Sequence, residues 1–222
     1  MQVGIVGGTG PLGQGLALRL ADAGVDVVVG GRDAARSAEV VSALVGRRPD
    51  RELAITGADN ATAADGDLVV VATPWDALAA TVRPLAGRLQ GKVVVCVANA
   101  LVKDGREMQA VMPPRSSMAG VVQAAAPGAM VAAACQHLPA GDLADLDGDL
   151  AADVLVCSDH PEATAATIEL LAKIEGLRPL DAGSLASAGA IEAFTAVLIT
   201  LNIRYKAHAT LRLGGMPSAV TG

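Results

Sequence analysis

A short β-branched run at residues 3–6, Val-Gly-Ile-Val, passes straight into Gly8-x-Gly10-x-x-Gly13, and Leu12, Leu16 and Leu20 follow four apart. A strand, a glycine turn and a helix in this order predict the first unit of a dinucleotide-binding sheet. Gly8 lets the chain turn sharply out of the strand. Gly10 carries no side chain, so a pyrophosphate can approach the backbone, and Gly13 lets the helix pack close to the strand. Pro11 suits the first helical position because its fixed φ fits there. It lacks an N–H, so Thr9 and Leu12 are the expected backbone donors. The free N–H groups and positive dipole end of the helix start favour an anion.

Residues 25–30, Val-Asp-Val-Val-Val-Gly, read as a second buried strand. In such sheets the tip of this strand chooses the cofactor: a carboxylate takes the ribose hydroxyls of NAD, and an Arg accommodates the 2′-phosphate of NADP. Here Gly31 leaves room, Arg32 can fork onto phosphate oxygens, and Arg36 lies one helical turn later. Asp33 sits where a helix N-cap would. The tip therefore predicts NADP.

Strands continue to alternate with helices, which predicts a doubly wound parallel α/β sheet of the Rossmann type. A helix is expected over 33–45, strands at 53–56, 67–73 and 92–97, and a helix from Pro74 to about Leu89. Thr73 and Pro74 close a strand at the carboxyl end, where open sheets bind ligands, and are expected near the nicotinamide ribose. Trp75 reads as a packing anchor. Residues 99–115 read as a long irregular loop, and Asn99 at its start is counted among the cofactor contacts. A small-residue helix over 116–126 and a strand over 130–135 lead to His137, again just beyond a strand end. A lone His is more often structural than a ligand, and both readings stay open. Residues 142–153 hold five acidic side chains but lack the order of a Ca²⁺ loop, so a solvated loop is expected. A strand over 154–157, a helix over 161–174 capped by Ser158 or Asp159, and an edge strand carrying Pro179 come next. The chain ends in a long helical pattern over 187–213 whose middle, 191–203, is apolar on most sides and is expected to be buried. Residues 1–136 are expected to form the NADP-binding core, and 137–222 a smaller α/β extension ending in that helix.

Composition excludes several functions. One Trp, one Tyr and one Phe cannot supply a stacking surface for single strands, and a net charge of −6 without a basic stripe argues against nucleic acid. Cys96, Cys135 and Cys157 show no metal spacing and read as buried thiols in a reducing compartment. No charged leader and no uninterrupted apolar span of about 20 residues is apparent, so a soluble cytoplasmic protein is expected.

Several stretches occur together: the Gly7–Ala17 turn and helix, the Gly-Arg tip, Thr73-Pro74-Trp75, His137-Leu138-Pro139, and Gly-Leu-Arg-Pro-Leu-Asp-Ala-Gly at 176–183. With them the chain resembles the NADPH-dependent F420 reductases over nearly its whole length. The resemblance implies hydride transfer between C4 of NADPH and C5 of the deazaflavin F420, stacked in a cleft between the Rossmann core and the C-terminal part. It implies catalysis by proximity, with no protein nucleophile. By position, Thr9, Pro11, Leu12, Arg32 and Arg36 would hold NADP, Thr73 and Pro74 would lie near the nicotinamide, and His137, Leu138 and Pro139 along the deazaflavin. Gly31 departs from a family pattern in which a Ser often helps to hold the 2′-phosphate, which throws weight onto Arg32.

Two other readings stand beside it: a Rossmann reductase of a small imine or carbonyl, and a non-enzymatic NADP sensor. The short-chain dehydrogenase Tyr-x-x-x-Lys is absent, since Tyr205 has Ala209 at the fourth position after it. A related domain in membrane ferric reductases needs transmembrane helices. A homodimer is expected, because the 191–203 segment is too apolar to face water.

Overall fold

The computed structural model describes residues 1–216. The first five strands are β1 (Gln2–Val6), β2 (Asp26–Gly31), β3 (Ile55–Asp59), β4 (Leu68–Val71) and β5 (Val93–Cys96). A hairpin of β6 (Leu101–Asp104) and β7 (Glu107–Ala110) stands apart, and β8 (Met130–Ala133), β9 (Ala152–Ser158) and β10 (Leu177–Asp181) complete the main sheet. The eight sheet strands run β10-β9-β8-β5-β4-β1-β2-β3. All neighbours are parallel except β8 and β9. The strand order reverses between β1 and β4, the switch point at which doubly wound sheets bind ligands.

The helices are α1 (Pro11–Asp22), α2 (Ala34–Val45), α3 (Asn60–Ala63), α4 (Leu78–Val82), α5 (Met118–Ala125), α6 (Ala140–Ala144), α7 (Pro161–Leu171) and α8 (Ala188–Tyr205). Alternate strand residues face opposite sides of a sheet, and the valines divide accordingly. Val3, Val27, Val29 and Val70 join Leu16, Leu20, Val41 and Leu170 in one core. Val6, Val28, Val69 and Val94 join Leu78, Val82, Met118 and Val122 in the other. Each buried valine contributes roughly 1.5–3 kcal/mol, so a chain rich in Ala and Val builds two cores with few aromatics.

Several expectations are corrected. The 99–115 segment is not irregular throughout: β6 and β7 pair in register from Leu101 opposite Ala110 to Asp104 opposite Glu107, around Gly105 at φ +56°. Their side chains are mostly exposed, so no alternation announces them. The helix expected after Pro74 begins only at Leu78 and tightens into a 3₁₀ turn at Arg83–Leu85, where Pro84 has no N–H to continue it. The cap of α7 is His160 without a side-chain bond; Ser158 Oγ donates to Val131 O, and Asp159 accepts from Leu185 N.

The last helix differs most from expectation. It stops at Tyr205, where Lys206 takes a left-handed φ of 51°, and the chain folds back so that Leu211 O accepts from Asp153 N. Nor is it buried all round: Phe194, Val197, Leu201 and Tyr205 form an exposed stripe, while Glu192, Thr195, Ala196 and Leu198 face inward. Leu185–Tyr205 is long and apolar enough to cross a membrane by length and composition, yet its Glu192 is buried against the start of α5 and its Thr200 accepts from Met108 N on β7. Asp153, expected in a solvated acidic loop, lies within β9, fully buried. Its carboxylate accepts from Arg178 at 2.6 and 2.7 Å, from Arg212 at 3.2 Å and from Leu213 N at 2.6 Å. These contacts hold its carboxyl down at about 2, the Arg178 pairing contributing most.

Candidate functional site

A hollow of about 620 Å³ opens at the carboxyl ends of β1, β2 and β4. The first turn supplies Gly7, Thr9, Gly10, Pro11 and Leu12, the tip of β2 supplies Gly31 and Arg32, and the end of β4 leads to Thr73 and Pro74. The turn is built for close approach. Gly7 has φ +71°, and a Cβ there would lie 2.3 Å from Thr73 Cγ2. A Cβ on Gly13 would lie 2.6 Å from Gly8 Cα, so the first turn of the helix needs a glycine here to sit this close to the strand. A Cβ on Gly10 would meet nothing within 4 Å: that side of the backbone faces open space. Gln14 N donates to Gly10 O at 2.9 Å and begins α1, which leaves the first-turn N–H of Leu12 without a helical partner. A pyrophosphate fits this arrangement.

At the tip of β2, Asp33 caps α2 by accepting from Arg36 N at 2.8 Å, as its position suggests. Arg32 is exposed on the wall of the hollow. Arg36 turns aside, its Nη1 2.9 Å from Glu39 Oε2.

A second hollow of about 220 Å³ shares Leu12, Ala72, Thr73 and Pro74 with the first and continues along Trp75, Val97, Asn99 and Leu101. The two make one cleft over the switch point. Asn99 Nδ2 donates to Gln136 O at 2.8 Å and ties the end of β5 to the end of β8. His137 and Leu138 are buried, and with Pro139 they stand outside the walls of both hollows. His137 Nε2 donates to Asp153 O at 2.7 Å, and burial pushes its pKa down.

A family model described as NADP oxidoreductase, coenzyme F420-dependent, matches residues 2–100. The F420-dependent NADP reductase of Methanocaldococcus jannaschii is 35% identical, over 95% of this chain and 96% of its own length. The chain belongs to this family. The F420-dependent NADP reductase of Methanothermobacter marburgensis is 33% identical over 98% of this chain and all of its own. A crystal structure assigned to an F420-dependent NADP reductase from Arthrobacter sp. FB24 superposes with a TM-score of 0.82 at 26% identity, covering 96% of this chain and 99% of that one.

As a member of the F420-dependent NADP reductases, the chain brings Thr9, Gly10, Pro11, Leu12, Gly31, Arg32, Thr73, Pro74 and Asn99 onto one cleft. Gly8 and Gly13 shape the turn beneath it, and Arg36 stands beside it on α2. Sequence reasoning missed Asn60, whose Oδ1 accepts from Gly7 N at 2.9 Å and which lines the first hollow. It also missed Asp76, Ala77 and Thr81. Asn60 acts across 53 residues, and no local motif marks it. Trp75, expected to serve packing alone, reaches the second hollow. The three cysteines are buried. Burial raises the thiol pKa of Cys135 to about 12 and that of Cys157 to about 11, and drives Cys96 higher still. None offers a thiolate near neutral pH.

Proposed function

We infer that this chain transfers a hydride between NADP(H) and the deazaflavin coenzyme F420. The observation that carries the reading is one continuous cleft at the switch point, on a chain similar over its full length to F420-dependent NADP reductases. Bound there, the nicotinamide and the deazaflavin supply the hydride chemistry themselves. The protein's own residues bind, orient and exclude water. The turn around Gly10 and the Leu12 N–H receive the pyrophosphate, Arg32 the 2′-phosphate with Arg36 in support, and Thr73, Pro74 and Asn99 border the nicotinamide. The His137-Leu138-Pro139 segment is proposed to border the deazaflavin from beyond β8, with the His137 ring fixed on Asp153. On this reading residues 1–136 hold NADP and 137–222 complete the cleft; 217–222 lie outside the described residues.

The exposed stripe of Phe194, Val197, Leu201 and Tyr205 supports a homodimer in which two copies of α8 cover each other. Light scattering giving a monomer mass at micromolar concentration would remove that assignment. Buried free thiols accord with a cytoplasmic location. The activity itself is tested by mixing purified protein with NADPH and F420. Bleaching of the deazaflavin absorbance is expected; reduction of an imine without reduction of F420 would end the substrate assignment.

A further inference from the structure

Four buried side-chain atoms lack a hydrogen-bond partner among the described residues, and two of them stand on the second hollow: Thr73 Oγ1 and Asn99 Oδ1. The others, on Gln123 and Thr167, wall neither hollow. A buried polar atom left unpaired is costly, and such atoms in a native fold call for an explanation. Thr73 is 7% exposed. Asn99 has its amide orientation fixed, because Nδ2 already donates to Gln136 O; Oδ1 therefore remains as an acceptor. The hydroxyl of Thr73 can donate. One acceptor and one donor thus flank a hollow whose other walls, Leu12, Pro74, Trp75 and Leu101, are apolar.

We propose that Thr73 and Asn99 together hold the carboxamide of the nicotinamide ring, and so set which face of the ring looks into the cleft. The proposal rests on the NADP reading above. The carboxamide is the complement of the pair: its oxygen accepts from the Thr73 hydroxyl, and its NH₂ donates to Asn99 Oδ1. The apolar walls suit the flat ring that carries it better than they suit a ribose, whose hydroxyls would leave those walls facing polar groups. The end of β4 and the end of β5 each contribute one of the two atoms, so the register of Val71 opposite Cys96 fixes their spacing. A ring held at its amide on one edge cannot turn over without breaking both bonds. These are positioning residues: the reacting carbon belongs to the cofactor.

The test is equilibrium binding without F420, titrating three ligands. These are NADP⁺, its 3-acetylpyridine analogue (a methyl replaces the NH₂) and 2′,5′-ADP, which lacks the nicotinamide half. Thr73→Val, which keeps the shape, is expected to weaken NADP⁺ and the acetyl analogue alike, about three- to tenfold for one neutral hydrogen bond. Thr73→Ser is expected to restore both. Asn99→Ala is expected to weaken NADP⁺ by a similar factor and leave the acetyl analogue unchanged. Binding of 2′,5′-ADP is expected to be unaltered throughout. Equal losses for NADP⁺ and the analogue in Asn99→Ala would overturn the proposal and assign the pair to the ribose. Loss of 2′,5′-ADP in the variants would overturn it too, by showing that the two residues support the wall. Failure of wild-type protein to bind 2′,5′-ADP would instead remove the NADP reading beneath it.

Discussion

The Ser37 hydroxyl occupies the space in which a side chain on Gly31 would begin: a Cβ there would lie 2.4 Å from Ser37 Oγ, with Thr9 Cγ2 at 3.3 Å. Ser37 is fully buried and its Oγ donates to Asp33 O at 3.0 Å, so it cannot swing into solvent. Packing alone therefore holds Gly31 as glycine. Gly31→Asp, the obvious substitution for turning the preference toward NADH, is expected to destabilise the protein first, by about 1–3 kcal/mol for overpacking. In a Ser37→Ala background the added carboxylate has room, and a shift toward NADH is expected there. Thermal denaturation of Gly31→Ala, Ser37→Ala and the double variant checks the premise. Strictly additive effects would mean that the two sites do not collide.

Cofactor selectivity is expected to rest on Arg32. A hydrogen bond to a charged group contributes about 1.5–3 kcal/mol, so Arg32→Ala should weaken NADPH about ten- to a hundredfold and leave NADH nearly unchanged. Arg36 is engaged with Glu39, and both side chains are well exposed, so Arg36→Ala should cost less. Glu39→Gln, which releases Arg36, should tighten NADPH slightly and make the Arg36→Ala loss larger. Titrations of both cofactors against these variants decide it; equal losses for NADPH and NADH in Arg32→Ala would place Arg32 at the pyrophosphate or in the fold.

What was legible in the sequence follows from distance along the chain. Residues 3–13 act on one another within a few positions, so the turn, its glycines and the Asp33 cap were all readable. Asn60 supports Gly7 from 53 residues away, and nothing beside it says so. Asp153 looked solvated because its neighbours are acidic, while the guanidiniums that neutralise it arrive 25 and 59 residues later. The hairpin was hidden because its strands leave most side chains in water. The length of α8 was overestimated because apolar composition carries no sign of the left-handed residue at Lys206. His137 was correctly placed beyond a strand end, but whether its ring faced a ligand or a carbonyl depended on β9.

Asp153 is expected to anchor the returning C-terminal segment and to limit acid stability. Its folded pKa of about 2 lies below the ordinary 3.8. A depressed carboxyl contributes stability that is present above 3.8 and is lost as pH falls through about 2. Asp153→Asn should therefore be destabilised at neutral pH, on the order of 3 kcal/mol for a broken buried pair, and should lose less than wild type on acidification from pH 4 to 2. Denaturant melts at both pH values measure this. A variant as stable as wild type at pH 7 would show that the backbone bond from Asp153 N to Leu211 O holds the segment without help from the carboxylate.

Glu192 is expected to produce the opposite dependence. Its carboxylate caps the first turn of α5, accepting from Met118 N at 2.7 Å and Ala119 N at 3.2 Å. These bonds favour the charged form, but burial outweighs them and raises its pKa to about 7 from 4.5. Between those values the folded state holds a proton that the unfolded state has released. Stability is thus fully present below pH 4.5 and declines as pH rises through about 7. His137 works against this: its lowered pKa means that the fold gains stability as pH rises through the same region. The wild-type profile alone therefore mixes two slopes, and the variant difference separates them. Glu192→Gln cannot titrate, so its stability should rise from pH 5 to 8 relative to wild type, even though the amide satisfies only one of the two N–H groups and starts from a lower value at pH 5. Thermal midpoints of the two proteins at pH 5, 6.5 and 8 would show the gap narrowing. A constant gap across that range would mean that Glu192 stays charged throughout, with the two backbone N–H groups outweighing its burial.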